Sequence, residues 1–250
     1  ITRGRKTTES TYKSLKYFWK KWDQYLNKRQ VYFKNKLNII YVLQDTGVGG
    51  GHRDVYEHIN RLRKKGHNIK LYTLANQPKW FDLKTKVKKF KSYKILEKAL
   101  EKQNAIKVAC WWETVAPVWK SSLNKGIPVY FVQDIETSYY KDKKVESEVL
   151  SSYRKEFNYM TISEWNKKNL KKMDISSTVI SPGIDLVKFK VNKNLERRKN
   201  IILAIGRGLP LKNLKLTIKA WEKIIDRVEF WMFGIDPSIY YKLKAKYPDA

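Results

Sequence analysis

The chain has 250 residues, with 53 Lys plus Arg against 24 Asp plus Glu and a formal charge of +29 at pH 7. Its 42% apolar and 14% aromatic content is enough for a packed core, which excludes extended disorder. One cysteine, Cys110, excludes an internal disulfide framework and a Cys-rich zinc site, and no apolar run reaches the roughly 18 residues that a membrane-spanning helix needs.

Residues 1–36 carry eleven basic and two acidic side chains. Tyr12, Leu15, Phe18 or Trp19, Trp22, Tyr25 and Leu26 recur there at three- and four-residue intervals, which predicts a helix with one aromatic face flanked by lysines. Such a helix either lies on an anionic membrane surface, aromatics at headgroup level, or packs on its own protein. The absence of a signal-peptide apolar core predicts a cytoplasmic protein, with peripheral attachment at the inner face of a membrane through this extension.

From Leu37 the pattern becomes strand, loop, helix, strand. Leu37 to Leu43 is a short apolar run. A glycine-rich loop, Gly47 to Gly51, leads into a helix lined by Val55, Ile59 and Leu62, which Gly66 ends in a left-handed cap. Ile69 to Leu74 is the next strand. Further strands are predicted at Ile106 to Trp111, Val129 to Val132, Tyr159 to Ile162 and Thr178 to Ile180. Helices are predicted at Ile95 to Lys102, Val115 to Asn124, Val145 to Lys155 and Glu164 to Lys172. This alternation predicts a mostly parallel α/β sheet of Rossmann-like type. After the turn Ser181 to Asp185 and a charged stretch, the pattern restarts: strand Asn200 to Ile205, loop Gly206 to Asn213, helix Leu214 to Ile225, strand Val228 to Phe233. The expected organisation is a basic helical extension (1–36), a Rossmann-like domain (37–183) and part of a second one (184–250). The roughly sixty residues of the second, together with a start at Ile1, predict a piece of a longer protein.

Three places could carry chemistry. A glycine loop between a strand and a helix start can cradle a phosphate, because free backbone N–H groups and the helix dipole meet there. The dinucleotide fingerprint is not met, since His52 stands at the third glycine position and Asn76 follows the second strand without an acid, so an NAD enzyme is disfavoured. Trp111-Trp112-Glu113-Thr114 and Gln133-Asp134-Ile135-Glu136 place carboxylates beside aromatics at the carboxyl ends of strands, where such sheets bind ligands. Glu113 or Thr114 could equally serve as a helix cap. In the second unit, Arg207 and Lys212 could converge on a diphosphate, but the G-K-[ST] of an ATP-hydrolysing loop is missing. His58 and His67 are expected on the surface, Cys110 in the core, and no metal motif is present. Of the 53 basic residues only 11 are Arg, and no zinc-finger, zipper or RNP pattern occurs, so specific nucleic-acid recognition is not expected.

Five segments, Tyr41 to Arg53 (YVLQDTGVGGGHR), Pro128 to Tyr140 (PVYFVQDIETSYY), Thr161 to Trp165 (TISEW), Ser181 to Phe189 (SPGIDLVKF) and Ile202 to Leu214 (ILAIGRGLPLKNL), together resemble family-4 glycosyltransferases of the GT-B architecture. Trp111 to Glu113 and Tyr130 to Glu136 look closest to bacterial glycan-assembly members, including rhamnosyltransferase-like ones. The resemblance implies two facing Rossmann-like domains and transfer of a sugar, with retention, from a nucleotide diphosphate sugar to a glycan or lipid-linked acceptor in surface polysaccharide assembly. No cofactor or catalytic metal is implied, the nucleotide sugar being a substrate. Gly50 and Gly51 match the loop that approaches the donor phosphates, and Arg207 and Lys212 the basic pair that stabilises the departing diphosphate. Trp112, Glu113 and Glu136 become candidates for holding acceptor or sugar. Many members carry a His after the strand corresponding to Tyr130 to Val132, where this chain has Gln133 and Asp134; Asp134 becomes the catalytic candidate in its place. The family's E-x7-E segment is expected beyond Ala250, which predicts little activity for these residues alone. The competing reading is a module on an α/β scaffold that binds an anionic surface or nucleic acid.

Overall fold

The computed structural model describes residues 36–187, 189, 190, 200–206 and 213–248. These fall into two compact units, one ending at Gly183 and the other beginning at Ile184. The expected helix within residues 1–36 lies outside the described residues, save Lys36 itself.

The first unit runs β1 (Asn38–Leu43), α1 (Gly50–Lys64), β2 (Asn68–Thr73), β3 (Val87–Lys89), α2 (Tyr93–Glu101), β4 (Ile106–Ala109), α3 (Trp112–Ser122), β5 (Ile127–Val132), a 3₁₀ turn (Glu136–Tyr139), α4 (Lys143–Ser152), β6 (Asn158–Thr161), α5 (Glu164–Lys172) and β7 (Ser177–Val179). All seven strands pair in parallel in the order β3-β2-β1-β4-β5-β6-β7. The order turns back between β1 and β4, and the carboxyl ends on either side of that reversal frame a crevice.

A parallel sheet covered on both faces explains why β1 reads as an unbroken apolar run. Ile40 and Val42 pack with Tyr72, Leu96, Leu100, Tyr130 and Val132 on one face. Ile39, Tyr41 and Leu43 pack with Val55, Tyr56, Ile59, Leu71 and Phe131 on the other. Each such side chain contributes about 1.5–3 kcal/mol on burial, so both faces of β1 anchor the strand from which the crevice is built.

Helix starts follow their caps. Ser92 accepts from the Ile95 N–H, Asp142 from Lys144 and Ser163 from Asn166. The first two caps start α2 and α4 two residues before the points that the apolar periodicity suggests. Gly66 has φ +90°, the left-handed conformation that ends α1. Strand β3 was not anticipated: three residues with two exposed lysines give no readable period. His58 and His67 are corrected from surface to partly buried. The His58 ring stacks on Phe131 at 5.1 Å, and His67 Nδ1 accepts from the Leu37 N–H at 3.3 Å. Cys110 is buried as expected, and burial pushes its thiol pKa up.

The second unit contains β8 (Ile201–Ile205), α6 (Leu214–Glu222), β9 (Glu229–Phe233) and α7 (Pro237–Lys246). Strands β8 and β9 pair in parallel, and Trp221 of α6 stacks on Phe230 at 4.9 Å. Leu203, Trp231 and Phe233 in the alternate rows are exposed.

Candidate functional site

The crevice is built from three strand ends. After β1 the chain enters the loop Gln44 to Gly49 and then α1. Asp45 Oδ1 accepts from the Gly47 N–H at 2.6 Å and lies 3.0 Å from His52 Nε2, without the alignment of a hydrogen bond. Trp80 Nε1 donates to the Thr46 carbonyl at 3.0 Å, and Thr46 Oγ1 donates to the Asn76 carbonyl at 2.8 Å, which ties the loop to the segment after β2. No side chain caps α1, and no acid occupies its first turn. Its leading N–H groups and positive dipole end therefore keep their capacity for an anion. Gly50 faces open space, where a side chain would meet nothing within 4 Å. Gly51 is hemmed in: a Cβ there would stand 2.1 Å from Gln133 Oε1, while Gln133 Nε2 donates to the Gly51 carbonyl at 3.1 Å. Glycine at 51 is thus what lets the residue after β5 clamp the start of α1.

After β4, Thr114 does the capping. Its Oγ1 donates to the Trp111 carbonyl at 2.6 Å and accepts from the Cys110 and Trp111 N–H groups at 3.2 Å each. Of the two capping candidates it is therefore Thr114 that serves, which leaves Glu113 exposed on the first turn of α3, where its charge acts on the Tyr93 hydroxyl. Trp112 donates through Nε1 to the Tyr140 hydroxyl at 3.0 Å.

After β5, Asp134 is held on both oxygens. Oδ1 accepts from the Ile135 N–H at 2.7 Å and Oδ2 from the Tyr139 hydroxyl at 2.6 Å. The Tyr139 ring in turn lies parallel to Trp111, with centroids 6.0 Å apart. Gln133 is fixed through its carbonyl, which accepts from Asn166 Nδ2 at 3.0 Å.

Glu136 departs from the expected direct contact with acceptor or sugar. It is only 2% exposed, and its Oε2 accepts from the Trp112 N–H at 2.9 Å and the Tyr130 hydroxyl at 3.1 Å. The Tyr153 hydroxyl accepts from its N–H at 3.2 Å. The sequence put it beside the crevice because it follows a strand end closely; the 3₁₀ turn folds it inward instead, beneath the start of α3. Burial, helped by the charges of Asp134 and Glu113, pushes its pKa up to about 8 against the two donated hydrogen bonds. Its partner at the far end of α3 is Lys107, wholly buried in β4, whose Nζ donates to the carbonyls of Ser121 and Lys125. Burial lowers the Lys107 pKa to about 8. At neutral pH Glu136 therefore serves the start of α3 mainly as a protonated hydrogen-bond acceptor, while the Lys107 ammonium complements the negative end of the helix dipole at its C-terminus.

The structure therefore gathers Gly50, Gly51, Trp112, Glu113 and Asp134 along one edge of the sheet and sets Glu136 underneath. It adds Asp45, Tyr93 and Tyr139, which sequence reasoning had not singled out, and brings Trp111 against Tyr139. Trp111 was visible as part of a Trp-Trp-Glu run; nothing local marked Tyr93 or Asp45. Arg207 and Lys212 lie outside the described residues. Among the described residues no group of three or more His, Cys, Asp or Glu could hold a metal ion, and no helix is long and apolar enough to cross a membrane.

No protein-family model matches the chain and no curated protein does so significantly. Solved structures do match. One is WaaG, a glycosyltransferase involved in lipopolysaccharide biosynthesis, with a TM-score of 0.58 and 16% identity over 83% of this chain and 66% of that one. Another is an alpha-glucosyltransferase in complex with UDP-glucose and DNA containing an abasic site, with a TM-score of 0.53 and 16% identity over 85% of this chain and 61% of that one. The chain thus spans between three fifths and two thirds of the length of these structures. Its architecture, an α/β fold with a seven-stranded parallel Rossmann-like sheet, is that of GT-B glycosyltransferase structures.

Proposed function

We propose that the protein is a retaining glycosyltransferase that moves a sugar from a nucleotide diphosphate sugar to a glycan or lipid-linked acceptor in surface polysaccharide assembly. The observation that carries this reading is the meeting, at the reversal point of the sheet, of an uncapped glycine-rich helix start with carboxylates and aromatic rings. Structures of the same fold support it, one of them described with UDP-glucose and another with lipopolysaccharide biosynthesis.

In this reading the backbone N–H groups at Gly50 and Gly51 and the charges of Arg207 and Lys212 are the groups that serve the donor diphosphate. Negative charge grows on the diphosphate as the glycosidic bond breaks. Fixed cations and N–H dipoles aimed at it are worth more in the transition state than in the bound donor. Trp112 and Glu113 line the acceptor side, with Trp111 and Tyr139 offering flat apolar faces to a sugar ring. Asp134, its carboxylate fixed by Tyr139 and its own loop, faces the reacting sugar. Glu136 sets the position of Trp112 rather than touching substrate.

The test is donor binding and turnover by the full-length protein. Thermal shifts with UDP-, GDP- and dTDP-sugars should single out one donor base, because a ligand that binds only the native state raises its stability. Arg207→Ala with Lys212→Ala should then abolish transfer while the unfolding midpoint stays put. Unchanged turnover in that variant, or no stabilisation by any nucleotide sugar, would refute the proposal.

A further inference from the structure

The charge of the first unit is sorted by place. Asp45, Glu113 and Asp134 gather at the crevice, close enough that Asp134 and Glu113 both act on the buried Glu136, and Glu113 and Asp45 both act on Tyr93. The opposite charge collects at the β3 edge. Between residues 84 and 102 there are eight lysines and two glutamates. Lys86, Lys88, Lys89, Lys91, Lys94, Lys98 and Lys102 are all exposed. Among the described residues, only Lys84 of this set is ion-paired, with Asp82. The basic end of α1 joins the same strip: Arg63 donates to Thr85 Oγ1 at 3.2 Å, and the Asn60 side chain bonds both the Asp82 carbonyl and the Lys84 N–H.

Lysines on an edge strand protect it from pairing with other chains. That accounts for Lys88 and Lys89. It does not account for the exposed lysines that continue onto α2, away from the strand's unpaired backbone.

We infer that this β3–α2 edge is a docking surface for an anionic lipid bilayer. Three observations favour a bilayer over nucleic acid. The strip is lysine, a mobile point charge suited to a layer of headgroups without fixed geometry, rather than the forked arginine that reads bases. Its two arginines are engaged within the fold, Arg61 with Glu57 and Arg63 with Thr85. Ile95, next to Lys94 on α2, is 48% exposed and supplies an apolar side chain to the headgroup boundary. The strip also reaches the crevice. Lys89 Nζ donates to Asn76 Oδ1 at 3.1 Å, and the Asn76 carbonyl accepts from Thr46 in the glycine loop. A bilayer engaged at this edge would lie beside the crevice rim. The inference does not depend on glycosyl transfer.

The experiment is co-sedimentation of the full chain with phosphatidylcholine vesicles, with or without about a third phosphatidylglycerol. The wild-type protein should bind the anionic vesicles alone, and less tightly as salt rises. The quadruple variant Lys86→Gln, Lys89→Gln, Lys91→Gln, Lys94→Gln should lose roughly fivefold per lysine, several hundredfold in all. A control of equal charge, Lys120→Gln, Lys125→Gln, Lys168→Gln, Lys171→Gln, should bind far more tightly than the strip variant. Circular dichroism and the unfolding midpoint confirm that both variants fold. Equal loss in the two variants, or no loss in the first, overturns the inference. So does a strip variant that loses affinity for random duplex DNA while its vesicle binding is unchanged.

Discussion

Replacing Glu136 by glutamine should remove a pH dependence from the stability of the first unit. In the native state the carboxyl group is buried and its pKa stands at about 8 against an ordinary 4.5. The folded chain therefore holds a proton that the unfolded chain releases over the interval between those values. Stability follows the difference in bound protons, so Glu136 favours the fold most fully below about pH 4.5. That contribution declines through the interval and is gone above about pH 8. At about 1.4 kcal/mol per unit, the change across the window is on the order of 5 kcal/mol. This corresponds to roughly 10–20 °C in unfolding midpoint for a unit of this size. Glutamine keeps an oxygen for the Trp112 N–H and the Tyr130 hydroxyl but does not titrate. The assay is thermal or urea unfolding of wild type and Glu136→Gln at pH 5.5, 6.5, 7.5 and 8.5, read as the difference between the two proteins so that every other titrating group cancels. Wild type should lose ground steadily to the variant as pH rises. If the two curves run parallel, Glu136 is ionised at neutral pH and the account of its burial is wrong.

Gly51→Ala should push Gln133 off the α1 start, cost about 1–2 kcal/mol of stability and weaken donor binding. The added variant Gln133→Ala should restore stability without restoring donor affinity, as read by unfolding and by titration with the nucleotide sugar. Lys107→Met should cost about 2–4 kcal/mol by leaving the Ser121 and Lys125 carbonyls without their donor. Because burial depresses the Lys107 pKa to about 8 from 10.5, the wild-type residue contributes more stability as pH rises from 8 towards 10.5. The deficit of the Met variant should widen over that range in paired unfolding measurements, and a constant deficit would count against a buried, depressed amine.

The parts of this fold that were legible in the sequence are those whose signal is local. The parallel alternation followed from apolar runs such as Ile39 to Leu43, and the end of α1 from Gly66. Helix α5 was readable at its observed bounds because Ser163 caps it and Leu170 anchors its buried face. Pairings across long separations were not legible. Trp112 and Glu136 are 24 residues apart, and their contact depends on a 3₁₀ turn that has no periodicity to read. His58 could have been placed correctly: it stands three residues after Val55 and four before Leu62, within the apolar stripe of α1, and its ring packs as that stripe requires. Lys107 carried a comparable signal. A lysine inside Ala105 to Cys110 is costly unless its ammonium reaches acceptors, and the nearest ones are the carbonyls at the end of α3. At the candidate site, the glycine loop and Asp134 were readable as residue types at strand ends, whereas Tyr139 and Tyr93 reach their carboxylates only through the tertiary fold.

Helix α3 is moored at both ends by side chains that belong to other elements, Glu136 below its start and Lys107 at its finish. A segment fixed in this way separates two jobs that evolution usually has to trade against each other. The moorings set where Trp112 and Glu113 stand, so exposed residues around them such as Ser138 and Lys141 can vary without displacing the frame. Diversification aimed at a new acceptor belongs in that outer ring, and a library that also randomises position 107 or 136 would spend most of its members on chains that no longer hold the frame at all.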